Sequence, residues 1–334
     1  MRARVLVLHT GGTIGMARGT DGYRPMPGFA AVLRRHLDGV PGLPAFDLVE
    51  LAQPIDSANL QPDHWTAIAG ELVARWDDYC GFVVLHGTDT MAWTASALSF
   101  MLRGADRPVI LTGAQIPLVE PRSDALPNLQ AALALAAGLP AGEVCVFFGR
   151  RLLRGNRSTK VSSSALDAFD SPNAAALAET GIDIELQAAG LLPVTARDFS
   201  LPDFDPAAVA VLTIHPGMAA RRVAAVVDDP ALRGLVLCSY GAGNIPDAEP
   251  GLLDALARAV ARGVVVVNRT QCAKGPVVQG AYATGAALAR IGVVSAVDMT
   301  LEAAFAKLHV LLATHADPAT VRARFATALC GEMS

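Results

Sequence analysis

Val5-Leu6-Val7-Leu8-His9-Thr10-Gly11-Gly12-Thr13-Ile14-Gly15 is the stretch that decides the fold, and Phe82-Val83-Val84-Leu85-His86-Gly87-Thr88-Asp89-Thr90 repeats its design. Each begins with four consecutive apolar residues, the pattern of a strand buried on both faces of a parallel sheet. Each then breaks into a threonine-bearing, glycine-containing loop. In open α/β sheets ligands bind in the crevice outside the carboxyl ends of the strands. The two loops are therefore expected to converge on one small molecule.

Outward from these stretches the chain alternates strands and helices. Helical spacing runs over Phe29–Leu37, Pro62–Trp76, Met91–Arg103 and Ala125–Ala137, and strand patterns over Phe46–Leu51, Gly81–Leu85, Val109–Leu111 and Val144–Phe148. This alternation predicts an α/β fold of two domains, each with a mainly parallel sheet flanked by helices. The larger, amino-terminal domain covers residues 1–190, and a proline-bearing connection with Pro193, Pro202 and Pro206 covers 191–208. The smaller domain, 209–334, reads as strands Val209–Ile214, Gly234–Cys238 and Val264–Val267, a helix Pro250–Arg262, and closing helices Met299–His315 and Pro318–Leu329. Ala17–Pro27 has no helical or strand period and reads as a long loop. Tyr23 on it is either an active-site group on a lid or a solvent-facing tyrosine. In the segment before the Pro62 helix, Ser57 or Asn59 reads as a cap and Asp56-Ser57 as turn chemistry.

Composition narrows the function classes. The 334 residues are 52% hydrophobic and carry a formal net charge of −4, with no basic tract to grip nucleic acid or anionic lipid. Mean hydropathy is high at +0.38, yet no apolar run approaches the roughly 18 residues that span a bilayer. The apolar run before His9 is only four residues long, whereas a signal peptide needs an apolar region of about 7 to 15. The five cysteines, Cys80, Cys145, Cys238, Cys272 and Cys330, are scattered, with no C-x-x-C pair. They suggest neither a disulfide framework nor a zinc knuckle, and they fit a reducing cytoplasm.

The glycine loop is not a phosphate cradle. The G-x-G-x-x-G fingerprint fails because Thr13 stands two residues after Gly11, and no G-K-[ST] ending is present. Two hydroxyls remain, Thr10 and Thr13, on a loop whose glycines let a ligand approach the backbone. A threonine attacks only when its proton is taken, and Thr88, Asp89 and Lys160 are candidate helpers. Of the 27 lysines and arginines only three are lysine, so a lysine at 160 hints at chemistry that needs an amine, because arginine cannot give up its proton. An exposed, salt-bridging lysine is the alternative. Backbone N–H groups at the strand ends would suit an oxyanion. Acyl transfer from a small amide or ester is the reaction class this set fits, although threonines after strands also serve as ordinary turn and cap residues.

H-T-G-G-T-I-G (His9–Gly15), H-G-T-D-T-M (His86–Met91) and the Lys160 segment, in this order and spacing, resemble the bacterial L-asparaginases through both domains. The carboxyl half, with S-Y-G-A-G-N (Ser239–Asn244), N-R-T-Q-C (Asn268–Cys272) and G-A-Y-A-T-G (Gly280–Gly285), is similar to the cytoplasmic type I branch. The resemblance implies hydrolysis of L-asparagine to L-aspartate and ammonia without cofactor or metal. It makes Thr13 the attacking hydroxyl, assisted by Tyr23, and a β-aspartyl ester the intermediate. Thr88, Asp89 and Lys160 match the family's second triad, and which threonine attacks first is left open. Asp89 also matches the receiver of the substrate ammonium; Asp56, Ser57 and Ala58 match the segment for the α-carboxylate and ammonium; the Ala114 carbonyl matches the position facing the amide nitrogen. On the same grounds His9 and His86 brace the loops and transfer no proton.

Departures are also legible. Ala58 stands where type II enzymes have a glutamine, and their glutamate from an adjacent subunit has no counterpart, so weaker affinity and little glutaminase activity are expected. Asn244 matches an asparagine that reaches a neighbour's site, which implies a homodimer or a homotetramer made of two dimers. Some type I enzymes bind asparagine at an effector site, to which Thr270, Gln271 and Cys272 correspond with Tyr240 nearby; Cys238 replaces the arginine expected there. Two rivals share the fold: a non-catalytic amino-acid sensor, and the amidotransferase subunit that feeds ammonia to misacylated tRNA. The latter carries an extra amino-terminal domain, whereas here the first strand begins at Val5.

Overall fold

Val5–Leu8 and Phe82–Leu85 are wholly removed from solvent, as strands sandwiched between helix layers must be. The computed structural model describes residues 4–249, 251–280 and 283–334, and the chain divides into two compact units, Met1–Leu201 and Pro202–Ser334. Pro250, the predicted start of a helix, and Ala281 and Tyr282 of the G-A-Y-A-T-G segment lie outside the described residues.

In the first unit, β1 (Arg4–Gly11), β2 (Ala45–Ile55), β3 (Gly81–Leu85), β4 (Val109–Thr112) and β5 (Val144–Phe148) pair in parallel in the order β2-β1-β3-β4-β5. β6 (Arg151–Arg154), β7 (Ala178–Thr180) and β8 (Ile184–Leu186) extend the sheet beyond β5 as antiparallel strands. The sheet grows to one side of β1 and then to the other. The crevice between the carboxyl ends of β1 and β3 is therefore its topological switch point, where doubly wound folds bind ligands.

Helices cover both faces. α1 (Phe29–Leu37) buries Phe29, Leu33 and Leu37, one stripe at four-residue spacing, and α4 (Ala125–Gly138) joins it over Val5, Val7, Val83, Leu85 and Ile110. α2 (Pro62–Val73) and α3 (Met91–Met101) pack on each other, with α3 against β4 and β5; Leu6, Leu8, Phe82 and Val84, which alternate with the first set, are buried as well. The cap of α2 is Gln61, followed by Pro62, and not Ser57 or Asn59; the Gln61 N–H donates to His64 Nδ1 at 2.9 Å. α2 also stops at Val73, short of the predicted Trp76, and a separate turn Trp76–Asp78 stacks the Trp76 indole on Phe82.

The predicted loop Ala17–Pro27 is instead an antiparallel hairpin, Met16–Gly19 with Gly22–Pro25. Most of its residues are solvent-exposed, so no burial alternates along it and no strand period marks it. Gly22 takes the positive φ (111°) that its turn requires. The predicted connection is tied to the first unit as far as Ser200. Asp198–Phe199 pairs with Leu102–Arg103, and Arg197 holds both Asp77 and Asp106.

The second unit holds four parallel strands in sequence order, β9 (Val209–Thr213), β10 (Gly234–Ser239), β11 (Val265–Thr270) and β12 (Val294–Ser295). Alternate residues divide between two cores. Leu235, Leu237 and Val266 face α5 (Ala220–Val227) and α6 (Leu252–Ala261), while Val236, Val265 and Val267 face α8 (Leu301–Thr314) and α9 (Pro318–Phe325). α5 and α7 (Ala283–Arg290) were not foreseen. Asp317 caps α9 by accepting from the Ala319 and Thr320 N–H groups, with Pro318 in the first turn. Lys307 is fully buried and donates to Phe325 O, Thr327 O and Glu332 Oε1, so the chain end is pinned beneath α8 by an ion pair. No helix among the described residues is long and apolar enough to cross a membrane.

Candidate active site

Glycines bring the strand ends together. Gly12, at φ 90°, lies so close to the loop after β3 that a Cβ on it would stand 2.4 Å from both Gly87 Cα and N. A Cβ on Gly87 would stand 2.3 Å from Ser57 Oγ, and one on Gly113 2.4 Å from His86 O. The ends of β1, β3 and β4 thus pack backbone against backbone at the switch point, with the Ser57 side chain that follows β2 set against Gly87. Thr13 and Thr88 each follow one of two glycines in contact.

The two histidines brace this arrangement. His86 Nδ1 donates to Gly87 O at 2.8 Å, since a carbonyl only accepts, and Nε2 therefore accepts from Thr94 Oγ1 at 2.9 Å. Burial pushes its pKa down to about 4, so the ring is neutral at working pH. His9 lies against the Phe29 ring and beside Glu50, and burial lowers its pKa as well. Thr10 donates to Leu85 O, stitching β1 to β3. His86 and Thr10 are thereby engaged, and His9 is buried, with its Nε2 packed against Gly15.

The remaining polar groups form a triad. Lys160 Nζ lies 2.8 Å from Thr88 Oγ1 and 2.8 Å from Asp89 Oδ1. Lys160 arrives on a two-residue strand, Thr159–Lys160, paired with Phe169–Asp170. Its side chain is mostly buried while that of Asp89 is mostly open, so Asp89 still offers Oδ2 outward. Thr13 is half-buried, and its hydroxyl forms no hydrogen bond among the described residues. Ser57 is buried, and its carbonyl accepts from Thr90 Oγ1 at 2.8 Å. Asp56 accepts from Ala58 N at 3.2 Å and Asn59 Nδ2 at 3.4 Å, which shapes the Ser57 turn.

One support was not foreseen. Gln115 accepts from the Thr88 hydroxyl at 3.2 Å, and its backbone N–H, with that of Ile116, donates to the buried Asp124 carboxylate. Asn128 on α4 donates to Gly113 O and Asp124 and accepts from Gly149 N. Ala114 sits buried in this loop. The Thr112–Gln115 stretch is itself a strand-end loop, and that position was the only signal marking Gln115. Among the described residues no group of three His, Cys, Asp or Glu is placed to hold a metal ion.

A family model described as "Asparaginase, N-terminal" matches residues 4–190, and one described as "Glutaminase/Asparaginase C-terminal domain" matches 208–325. The chain belongs to the asparaginase family. Within the family it is 45% identical to L-asparaginase 1 of Escherichia coli K12, an alignment covering 99% of this chain and 98% of that one. Among solved structures it is similar to L-asparaginase I from Vibrio cholerae (42% identity, TM-score 0.91, all of both chains). The thermostable L-asparaginase from Thermococcus kodakarensis superposes nearly as well (33% identity, TM-score 0.90, 99% of both chains).

Of the residues that the family resemblance singled out, the structure brings Thr88, Asp89 and Lys160 into contact and sets Thr13, Ser57 and Ala114 on loops packed around them. Tyr23 it does not bring in. That side chain is 46% exposed on the hairpin, and its hydroxyl makes no hydrogen bond among the described residues. Asn244 lies in the second unit, in a tight turn bridged to Tyr240. At the effector-type positions, Gln271 Nε2 donates to Ile214 O at 2.7 Å and Cys238 O at 2.9 Å, and Cys272 N donates to Thr270 Oγ1. The Gln271 amide nitrogen is thereby engaged at strand ends. Cys238 is buried, and burial raises its thiol pKa.

Proposed function

We propose that this chain hydrolyses L-asparagine to L-aspartate and ammonia through a threonine-linked β-aspartyl ester. The observation that carries the reading is the Lys160 ammonium shared at 2.8 Å between Thr88 and Asp89, at a switch point where the Thr13 hydroxyl is unengaged among the described residues. Thr13 attacks the side-chain amide carbon, its proton leaves with the amide nitrogen as ammonia, and the ester forms. Water then adds to the ester carbon, and aspartate departs as the Thr13 hydroxyl regains a proton. Lys160 and Asp89 fix Thr88 beside the reacting groups and activate the water or the nucleophile. Asp89 Oδ2 receives the substrate ammonium, the Ser57 turn with Asp56 and Ala58 receives the α-carboxylate, and the Ala114 carbonyl faces the amide nitrogen. Tyr23 enters when the hairpin closes over the substrate, assisting the attack.

Residues 1–190 form the catalytic domain and 209–334 the carboxyl-terminal one, joined by 191–208. Asn244 completes a neighbour's site, so the working unit is a homodimer or a homotetramer. Five free cysteines favour the cytoplasm. Full-length similarity to hydrolases named L-asparaginase favours catalysis over the sensor and amidotransferase readings.

Ammonia release over a concentration series of L-asparagine, with L-glutamine and D-asparagine alongside, tests the assignment. L-Asparagine is expected to be the preferred substrate, and Thr13→Ala and Thr88→Ala each to lower turnover by orders of magnitude with circular dichroism unchanged. No ammonia from any of the three compounds would sink it; near-normal turnover by Thr13→Ala would remove that residue from the nucleophile's role.

A further inference from the structure

The Gln115 side chain touches two groups, and together they settle which way round its amide lies. Its nitrogen can only donate and the Ala165 carbonyl can only accept, so Nε2 stands at Ala165 O at 3.2 Å and Oε1 is turned to Thr88. Thr88 has one proton to give, and it must go to Gln115. Lys160 reaches the same oxygen as a donor. One lone pair of Thr88 is then taken by Lys160, and the other is unengaged among the described residues.

Both ends of the Gln115 contact are anchored. Its backbone is held by Asp124, while the Ala165 turn is held by Ser162 Oγ, which accepts from Ala165 N at 2.9 Å and Ser164 N at 3.2 Å. Val161, next to Lys160, donates to Ala168 O. Gln115 therefore spans from Thr88 to the loop that follows Lys160, closing a ring around the triad.

We propose that Gln115 is a positioning residue for the hydrolysis: it draws the Thr88 proton away from Lys160, so that Thr88 presents a lone pair to the crevice and Lys160 stays shared between Thr88 and Asp89. The proposal rests on the asparaginase reading of Thr13, Thr88 and Lys160. A neutral amide oxygen is not a base, so Thr88 swings off Gln115 only when the reaction calls for its proton. Holding one hydroxyl rotamer in place beforehand removes an orientational search from the barrier.

The test compares Gln115→Met, which keeps the length and loses the acceptor, with Gln115→Glu, which keeps an oxygen facing Thr88. Ammonia release from L-asparagine is followed from pH 4.5 to 9, with thermal melting in parallel. Loss of a neutral hydrogen bond predicts a fall in kcat of up to about 10-fold for Gln115→Met, with KM within about twofold. Gln115→Glu is expected to recover most of kcat at the acid end of this range, where its protonated carboxyl gives an O–H to Ala165 O and keeps its carbonyl oxygen for Thr88, and to lose that gain as the carboxylate, a second acceptor against Ala165 O, forms. A side chain that merely props the loop would raise KM or lower the melting temperature and would not rank Glu above Met. Wild-type kcat in Gln115→Met overturns the proposal, as does equal impairment of the two variants with an unchanged pH profile. Failure of the underlying reading has a separate signature, wild-type turnover by Thr88→Ala.

Discussion

Gly12→Ala should disable the site while leaving every side chain in it unaltered. The new Cβ would lie 2.4 Å from Gly87 Cα and N, about 1 Å inside ordinary van der Waals contact, and both neighbours are backbone with no rotamer to yield. Gly12 also has a φ of 90°, where an L side chain costs roughly 1–2 kcal/mol. The two loops must part by about the missing 1 Å, carrying Thr13 away from Thr88. A misplacement of that size is worth about 100-fold in rate, or close to 3 kcal/mol of barrier, with a further 1–3 kcal/mol of overpacking lost from folding. Steady-state ammonia release should therefore show kcat/KM down by about two orders of magnitude. The melting temperature should fall by several degrees, given roughly 2–4 °C per kcal/mol for a unit of this size. Wild-type kinetics together with a wild-type melting temperature would refute the view that backbone contact between the loops sets the site.

Three further outcomes are expected. His86, with its pKa held near 4 against 6.5 when unfolded, binds a proton more readily in the unfolded chain. Its contribution is therefore intact above about pH 6.5 and lost as pH falls toward 4, by at most about 3 kcal/mol; denaturant titrations across that window should show a shallower slope in His86→Gln. Glu332→Gln leaves the Lys307 ammonium buried without its carboxylate, and should destabilise the second unit by about 3–5 kcal/mol in chemical denaturation, more than replacing both residues with apolar ones. The rate should rise hyperbolically with L-asparagine, because Cys238 offers no bidentate cation for an effector carboxylate and Gln271 is engaged on strand ends; a sigmoidal curve would show that an effector response persists.

Much of this was legible in the sequence, for a physical reason that also marks where legibility ended. Val5–Leu8, Phe82–Leu85 and Val144–Phe148 declare themselves because burial on both faces demands unbroken apolar runs. Arg151–Arg154, Ala178–Thr180 and Ile184–Leu186 are short and mixed in polarity, so the antiparallel extension of the sheet escaped notice, as did the exposed hairpin at Met16–Pro25. In the site, Thr88 and Asp89 are named by their position after a strand, and Lys160 by the scarcity of lysine. Gln115 and Asp124 act through pairings that no period encodes, since what selects them is the distance between loops.

The hydrogen bonds around the crevice are distributed unequally. On one side Asp124 and Asn128 tie the loops after β4 and β5 to a buried helix. On the other the hairpin bearing Tyr23 is joined to the Thr13 turn by the Met26 N–H on Gly15 O, and a two-stranded ribbon has little stability of its own. In hydrogen exchange the amides of Gln115 and Ile116 should open only with global unfolding, while those of Arg18 to Arg24 open at small free energy. Such a contrast would let substrate enter and product leave past the hairpin without disturbing the hydrogen bonds that hold Gln115 and Ile116.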